Sequence, residues 1–332
     1  MACRGERPFR HAPPAAARLV TDTAPRDHGG GIDAAAATYG GGRSDWLDLS
    51  TGINPVPYPI PDMPADAWTA LPDHTATDKL ESAARRFWNI PDEAAVLAAP
   101  GASALIARIP ALAASEQVAI PGPTYNEHAA AFRAQGWHVS QRGGAAQVIV
   151  NPNNPDGRMW RESELAGAPL TVIDESFCDI APDASLIHCA THSGVIVLKS
   201  FGKFWGLAGA RLGFAIGDPR LVAQLADWLG PWPLSGPAQA IGTAALLDKP
   251  WAVETRARLA TDSARLDELM IGNGAELVGG TPLFRLYDTQ NAAAWQGRLA
   301  QRHIWSRVFP YSDRWLRLGL PGAEGWNRLE AL

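Results

Sequence analysis

Cysteine is scarce. Cys3, Cys178 and Cys189 are the only three in 332 residues, too few and too scattered for a disulfide framework or a thiolate metal site. They read as reduced, small, mostly buried side chains, and no metal is expected. No apolar window reaches the length of a transmembrane helix. The N-terminal MACRGERPFRHAPPAAARLV is arginine-rich and broken by proline. It lacks the continuous apolar stretch of about 7 to 15 residues that a secretory signal needs, so a cytoplasmic protein is expected. Basic charge is not in excess either: the formal net charge is -5 and the pI is near 5.9. A global attraction to nucleic acid or to anionic membranes is excluded, and any anionic ligand must be held by local groups.

What is present is enough apolar material for a large core, 46% of the residues, which suits one large domain and a smaller one. Residues 1–30 read as an irregular arm ending in HGGG (28–31). Residues 31–60 read as an extended connector contributing to the small domain, because the prolines of STGINPVPYPIP forbid both helix and central strand. Residues 61–235 then alternate short apolar runs (118–120, 147–150, 170–173, 195–198) with helical stretches at 77–89, 101–114 (broken by Pro110) and 125–135. That alternation predicts an α/β fold with a mostly parallel sheet covered by helices. Residues 236–332 read as a small α+β domain, with helices over 237–248, 252–272 and 291–301 and strands in LFRLY, IWSRVF and WLRLGL.

In such sheets ligands bind beyond the carboxyl ends of the strands. Four segments follow the apolar runs there: PGPTY, NPNNPDG, DES and KSFGK. Lys203 is flanked by Phe201, Gly202, Phe204, Trp205 and Gly206. Such company can strip water from an ammonium and leave a usable amine nucleophile, although it also suits a lysine snorkelling over an apolar patch. Asp174, after four apolar residues, demands a cationic partner, or is a helix cap. Asn154 before Pro155 could simply shape a turn. Taken together, the three meet the needs of pyridoxal phosphate: an amine for its aldehyde, an acid for its ring nitrogen and a donor for its phenolic oxygen. Ser200, Arg211 and the N–H groups of Ala102 and Ser103 in PGASAL offer a phosphate cradle. Tyr125 could stack on the ring, or be an ordinary core aromatic.

The order GAS, PTY, NPNNPDG, DESF and SFGK followed by GLAGARLGF resembles the fold-type I pyridoxal-phosphate enzymes of the class I/II aminotransferase group, in the histidinol-phosphate aminotransferase branch. The likeness covers roughly residues 28–330. HGGG, WLDLSTGINPVPYP and IWSRVFPYSDRWLRLGLP resemble most closely the threonine-phosphate decarboxylases of cobalamin biosynthesis. The resemblance implies decarboxylation of L-threonine O-3-phosphate to 1-amino-2-propanol O-2-phosphate by a homodimer. It further implies Lys203 as the lysine linked to the cofactor, Asp174 as the pyridinium partner and Asn154 as the phenolate donor. Ala102, Ser103, Ser200 and Arg211 would hold the phosphate of the cofactor, and Arg317, Arg307, His28 and Asn54 the substrate.

Two departures from the family pattern stand out. Phe177 occupies the place of a tyrosine that in aminotransferases contacts the phenolic oxygen, and Leu71 that of a tyrosine reaching the neighbouring subunit's cofactor. The rival readings are an aminotransferase acting on histidinol phosphate or another phosphorylated amino acid, and a non-catalytic pyridoxal-phosphate-binding or regulatory protein.

Overall fold

The computed structural model describes residues 27–331. Most of the expected arm, residues 1–26, therefore lies outside the described residues. The chain opens with helix α1 (Ile32–Tyr39), the two-residue strand β1 (Leu47–Asp48), α2 (Asp66–Thr69) and α3 (His74–Trp88). There follow β2 (Ala95–Ala99), α4 (Ala102–Ile106), β3 (Gln117–Ala119), α5 (Asn126–Ala134), β4 (His138–Ser140), β5 (Ala146–Val150), β6 (Leu170–Asp174), β7 (Val195–Ser200) and β8 (Gly213–Gly217). The remainder is α6 (Pro219–Leu229), α7 (Gly236–Leu247), α8 (Lys249–Gly272), β9 (Glu276–Thr281), β10 (Phe284–Asp288), α9 (Ala292–Ala300), β11 (Ile304–Trp305), β12 (Arg307–Phe309), β13 (Ser312–Gly319) and α10 (Trp326–Glu330).

Seven strands form the large sheet in the order β2-β8-β7-β6-β5-β3-β4, with β8 antiparallel to both neighbours and the other pairings parallel. Helices on both faces bury β5 and β6 along their whole length. This is why these strands read as unbroken apolar runs rather than as alternation. A four-stranded antiparallel sheet, β12-β13-β10-β9, forms from the C-terminal third, and β1 pairs in parallel with β11 beside it. Helix α7 packs against α3, with Gly242 against Leu80 and Leu212, so it adds to the helical layer of the large sheet.

Local chemistry explains where the elements begin and end. The Asp73 carboxylate accepts from the N–H of Ala76 and starts α3 three residues before the expected position. Asp248 and Pro250 do the same for α8. The expected helix over 101–114 stops at Ile106. Pro110 lacks an N–H, and its ring would meet the carbonyl four residues back, which is that of Ile106. The connector is not wholly extended: alanine-rich residues 32–39 form α1, which buries Ile32 and Ala35 with Trp46 and Ala300.

The NPNNPDG loop and the C-terminal sheet meet backbone to backbone. The Gly280 N–H donates to the Asp156 carbonyl at 2.8 Å. A Cβ on Gly157, whose φ is 74°, would lie 2.0 Å from the Gly280 carbonyl oxygen. Gly157→Ala should therefore destabilise the protein by about 1–3 kcal/mol in equilibrium denaturant unfolding. An unchanged midpoint would show that the loop does not depend on this approach.

Candidate active site

Parallel register brings the strand ends together: Asp174 pairs with Val150 on one side and Leu198 on the other. The Asp174 side chain is buried. His128 Nε2 from α5 lies 2.8 Å from one carboxylate oxygen, and the Ser176 hydroxyl and N–H donate to the other at 2.6 and 3.0 Å. Burial alone would raise this carboxyl group, but the donations from His128 and Ser176 outweigh it and hold it below the usual carboxylate range. An ionised carboxylate only accepts, so His128 carries its proton on Nε2. His128 was not singled out from the sequence, where it is one polar residue in an alanine-rich helix.

Lys203 lies in the loop after β7, its carbonyl accepting from the N–H groups of Asn54 and Gly206. The flanking aromatics do not surround its amine. Phe201, Phe204 and Trp205 are fully buried in the core, where Trp205 stacks between Phe201 and Trp251. The drying comes from across the cavity, where the Lys203 Nζ lies 5.2 Å from the centre of the Phe177 ring. Burial first, then repulsion from Arg317 and Arg211, depress Lys203 to about 8 against the attraction of Asp174. The neighbouring Lys199 is the opposite case. Its amine sits fully buried 2.6 Å from Glu175, and that pairing outweighs burial and holds it above the ordinary lysine value.

An inner cavity of about 130 Å³ has Lys203 and Asp174 on its walls and Ser103, Ser200 and Arg211 at one end. Arg211 takes a left-handed φ of 50°, and a Cβ on Gly101 would strike its guanidinium at 2.7 Å. Gly213 is equally constrained, since a Cβ there would lie 2.5 Å from the Ala102 nitrogen. Glycine thus lets the start of α4 and Arg211 close on one small space. The N–H groups of Ala102 and Ser103 belong to the first turn of α4, which has no intrahelical acceptors for them.

An outer cavity of about 280 Å³ shares Tyr125, Asn154, Phe177 and Lys203 with the inner one and adds His28, Arg307, Tyr311 and Arg317. Tyr125 stands in the dividing wall, edge-on to His128. Arg307 and Arg317 are direct cross-strand partners on β12 and β13, an arrangement that like charges disfavour. Arg307 pairs with Asp27 at 2.7 Å. Arg317 is 5% exposed and donates only to neutral acceptors, the Asn154 side chain and the Ser50 carbonyl, while its Nε has no partner among the described residues. Burial and Arg307 lower Arg317 to about 10. Tyr311 is half exposed, but partial enclosure of its hydroxyl in the same cavity outweighs the pull of Arg307 and Arg317 and pushes it up to about 12, so it stays protonated.

His28 reaches Glu127 at 2.9 Å from the rim. Asn54, expected beside the substrate, lines neither cavity. Its side chain donates to the Phe204 carbonyl and accepts from Val56 and Arg258, so it fixes the loop that carries Lys203. The proline-rich connector gave no sign that this asparagine turns inward.

A lysine in the wall between an anion cradle and a second, strongly cationic chamber defines a carbonyl-cofactor enzyme of the α/β kind. The chain belongs to the class I and II aminotransferase family, whose model matches residues 62–143 and 140–325. Two curated threonine-phosphate decarboxylases are similar to it. That of Sinorhizobium sp is 42% identical over 92% of this chain and 97% of its own length, and that of Pseudomonas aeruginosa 40% identical over 92% and 96%. The fold is that of a solved histidinol-phosphate aminotransferase from Sinorhizobium meliloti in complex with pyridoxal-5'-phosphate. The two share 19% identity and a TM-score of 0.79 over 96% of this chain and 97% of that one. No helix among the described residues is long and apolar enough to cross a membrane.

The rate at which cofactor-free protein captures pyridoxal phosphate should rise with pH and level off near 8 rather than near the roughly 10.4 of an ordinary lysine. Arg317→Gln should move that inflection upward, because it removes a neighbouring positive charge. Stopped-flow absorbance between pH 6 and 10 reads both.

Proposed function

We propose that this chain is a pyridoxal-phosphate-dependent decarboxylase of L-threonine O-3-phosphate. It releases carbon dioxide and forms (R)-1-amino-2-propanol O-2-phosphate for cobalamin biosynthesis, in the cytoplasm and as a homodimer. The observation that carries the substrate class is the cross-strand pair Arg307 and Arg317, which line one cavity and of which only Arg307 has a carboxylate partner among the described residues, Asp27. A dianionic phosphate relieves the repulsion as no neutral group can. The relatives at 42% and 40% identity bear threonine-phosphate decarboxylase as their name.

The residues of the inner cavity fit the cofactor. Ala102, Ser103, Ser200 and Arg211 would hold its phosphate, Asp174 its ring nitrogen, Asn154 its phenolic oxygen and Lys203 its aldehyde. When bound, pyridoxal phosphate supplies an aldehyde that condenses with amines and a protonated ring that accepts the electron pair freed at Cα. Asp174, kept ionised by His128 and Ser176, holds the proton on the ring nitrogen. Arg307, Arg317, Tyr311 and His28, which line the outer cavity, would grip the substrate phosphate and so fix how the amino acid lies, leaving its carboxylate without a cationic partner. Lys203, able to bind and release a proton near neutral pH, returns one to Cα after carbon dioxide leaves. Phe177 carries no hydroxyl to contact the phenolic oxygen, which favours this reading over transamination.

Exposed Ile60, Trp68, Leu71 and Trp232, each more than half exposed in the single chain, supply apolar surface for the second copy. Leu71 has no hydroxyl to offer the partner's cofactor.

Incubation with O-phosphothreonine should yield carbon dioxide and the amine phosphate in equal amounts; a keto acid product would make the enzyme a transaminase. Lys203→Ala should lose the absorbance of lysine-linked cofactor together with turnover. Arg307→Ala should raise KM roughly 10- to 100-fold with a smaller effect on kcat, the scale of a lost charge-assisted hydrogen bond. Asp27→Asn removes a carboxylate that competes with the substrate for Arg307 and should lower KM. A raised KM would instead make Asp27 the group that positions Arg307.

A further inference from the structure

The β6–β7 connection carries the run His188-Cys189-Ala190-Thr191-His192, just before the amino end of β7. The candidate active site lies at the other end of that strand, about 20 Å away by the rise of a strand. The β5–β6 connection brings Glu162 to the same place. A carboxylate oxygen of Glu162, the Cys189 sulfur and a ring nitrogen of His192 all lie within 4.8 Å of one another. None of these residues lines either cavity.

We propose that Glu162, Cys189 and His192 form a site for a zinc-class divalent cation, with His188 as the group that orients the carboxylate. The donor set of one sulfur, one imidazole nitrogen and one carboxylate oxygen suits a borderline-soft transition ion and not magnesium or calcium, which prefer all-oxygen shells. Bonds of about 2.0–2.3 Å around a tetrahedral centre need donor atoms roughly 3.3–3.8 Å apart. The donor atoms already lie within 4.8 Å of one another, so the cluster needs to contract by at most about 1.5 Å, and it can do so from one side. Cys189 is buried, whereas Glu162 and His192 are exposed and have room to adjust toward it.

A ligating carboxylate is ordinarily held by a hydrogen bond of its own, and the His188 Nε2 lies 3.1 Å from Glu162 Oε2. The site keeps one position for water. The thiol itself is not set up as a nucleophile: burial, then the Glu162 and Glu175 carboxylates, push it up to about 11. A dication between Cys189 and Glu162 reverses that disadvantage, because it stabilises the thiolate and neutralises the carboxylate. Bound there, the ion ties the β5–β6 crossover to the β6–β7 crossover and adds stability without entering turnover.

The test uses cofactor-loaded enzyme freed of metal by chelation. Titration calorimetry with zinc should show one saturable site per chain, and cobalt should give a thiolate charge-transfer band in the difference spectrum against Cys189→Ser. Glu162→Gln and His192→Ala, both surface changes, should each weaken zinc at least tenfold and abolish the rise in Tm that zinc produces, with decarboxylation unchanged. Cobalt giving the same spectrum in Cys189→Ser, or zinc affinity unmoved in both surface variants, would overturn the proposal and leave an adventitious ion only. So would the absence of any saturable binding. The calorimetric, spectroscopic and Tm readouts do not depend on the identity of the substrate.

Discussion

The buried pair between Lys199 and Glu175 fixes the floor on which the site is built. Glu175 gathers the Lys199 amine, the Ser185 hydroxyl and the Leu186 N–H, while Asp179 close by accepts from the indoles of Trp88 and Trp205. Removing one partner of such a pair leaves a stranded charge in the core, a loss of about 3–5 kcal/mol. Because neighbouring residues on a strand point to opposite faces, anchoring Lys199 and Glu175 on one side of the sheet ends turns Ser200 and Asp174 to the other. The same network holds Trp205, and with it the loop that presents Lys203.

Above that floor the charges are arranged so that each group keeps the form its chemistry requires. Asp174 is buried yet anionic because two neighbours donate to it. Lys203 is cationic by nature but loosely so, because it is buried and because Arg317 and Arg211 crowd it from the two chambers. Two cavities meet at one amine, and on the proposed reading they separate the tasks: the inner residues would serve the cofactor and the outer ones the substrate. Glycine at 101, 157 and 213 permits the close backbone approaches on which this geometry rests.

Much of this was legible in the chain. Four apolar runs ending in polar turns gave the strand ends, and the residues after them gave the lysine, the aspartate and the asparagine. The side chains contributed by other elements were not legible. His128 stands 46 residues before Asp174 in an alanine-rich helix, and only the crossing of α5 over the sheet joins them. Arg307 and Arg317 look like ordinary strand arginines until the turn between β12 and β13 sets them opposite each other. Asn54 is the reverse case: a motif position suggested a ligand contact, and in the fold the side chain bonds to the Phe204 carbonyl and Arg258 as a brace. The aromatics around Lys203 suggested the right microenvironment for the wrong reason: they face the core, and Phe177 supplies the apolar wall.

Two arginines in register on neighbouring strands, only one of which has a carboxylate partner among the described residues, suit small dianions. Buffers and precipitants that contain phosphate or sulfate are expected to compete for Arg307 and Arg317 and to raise the stability of the ligand-free protein. They will also masquerade as weak inhibitors, so the choice of salt is itself a variable in any measurement made on this enzyme.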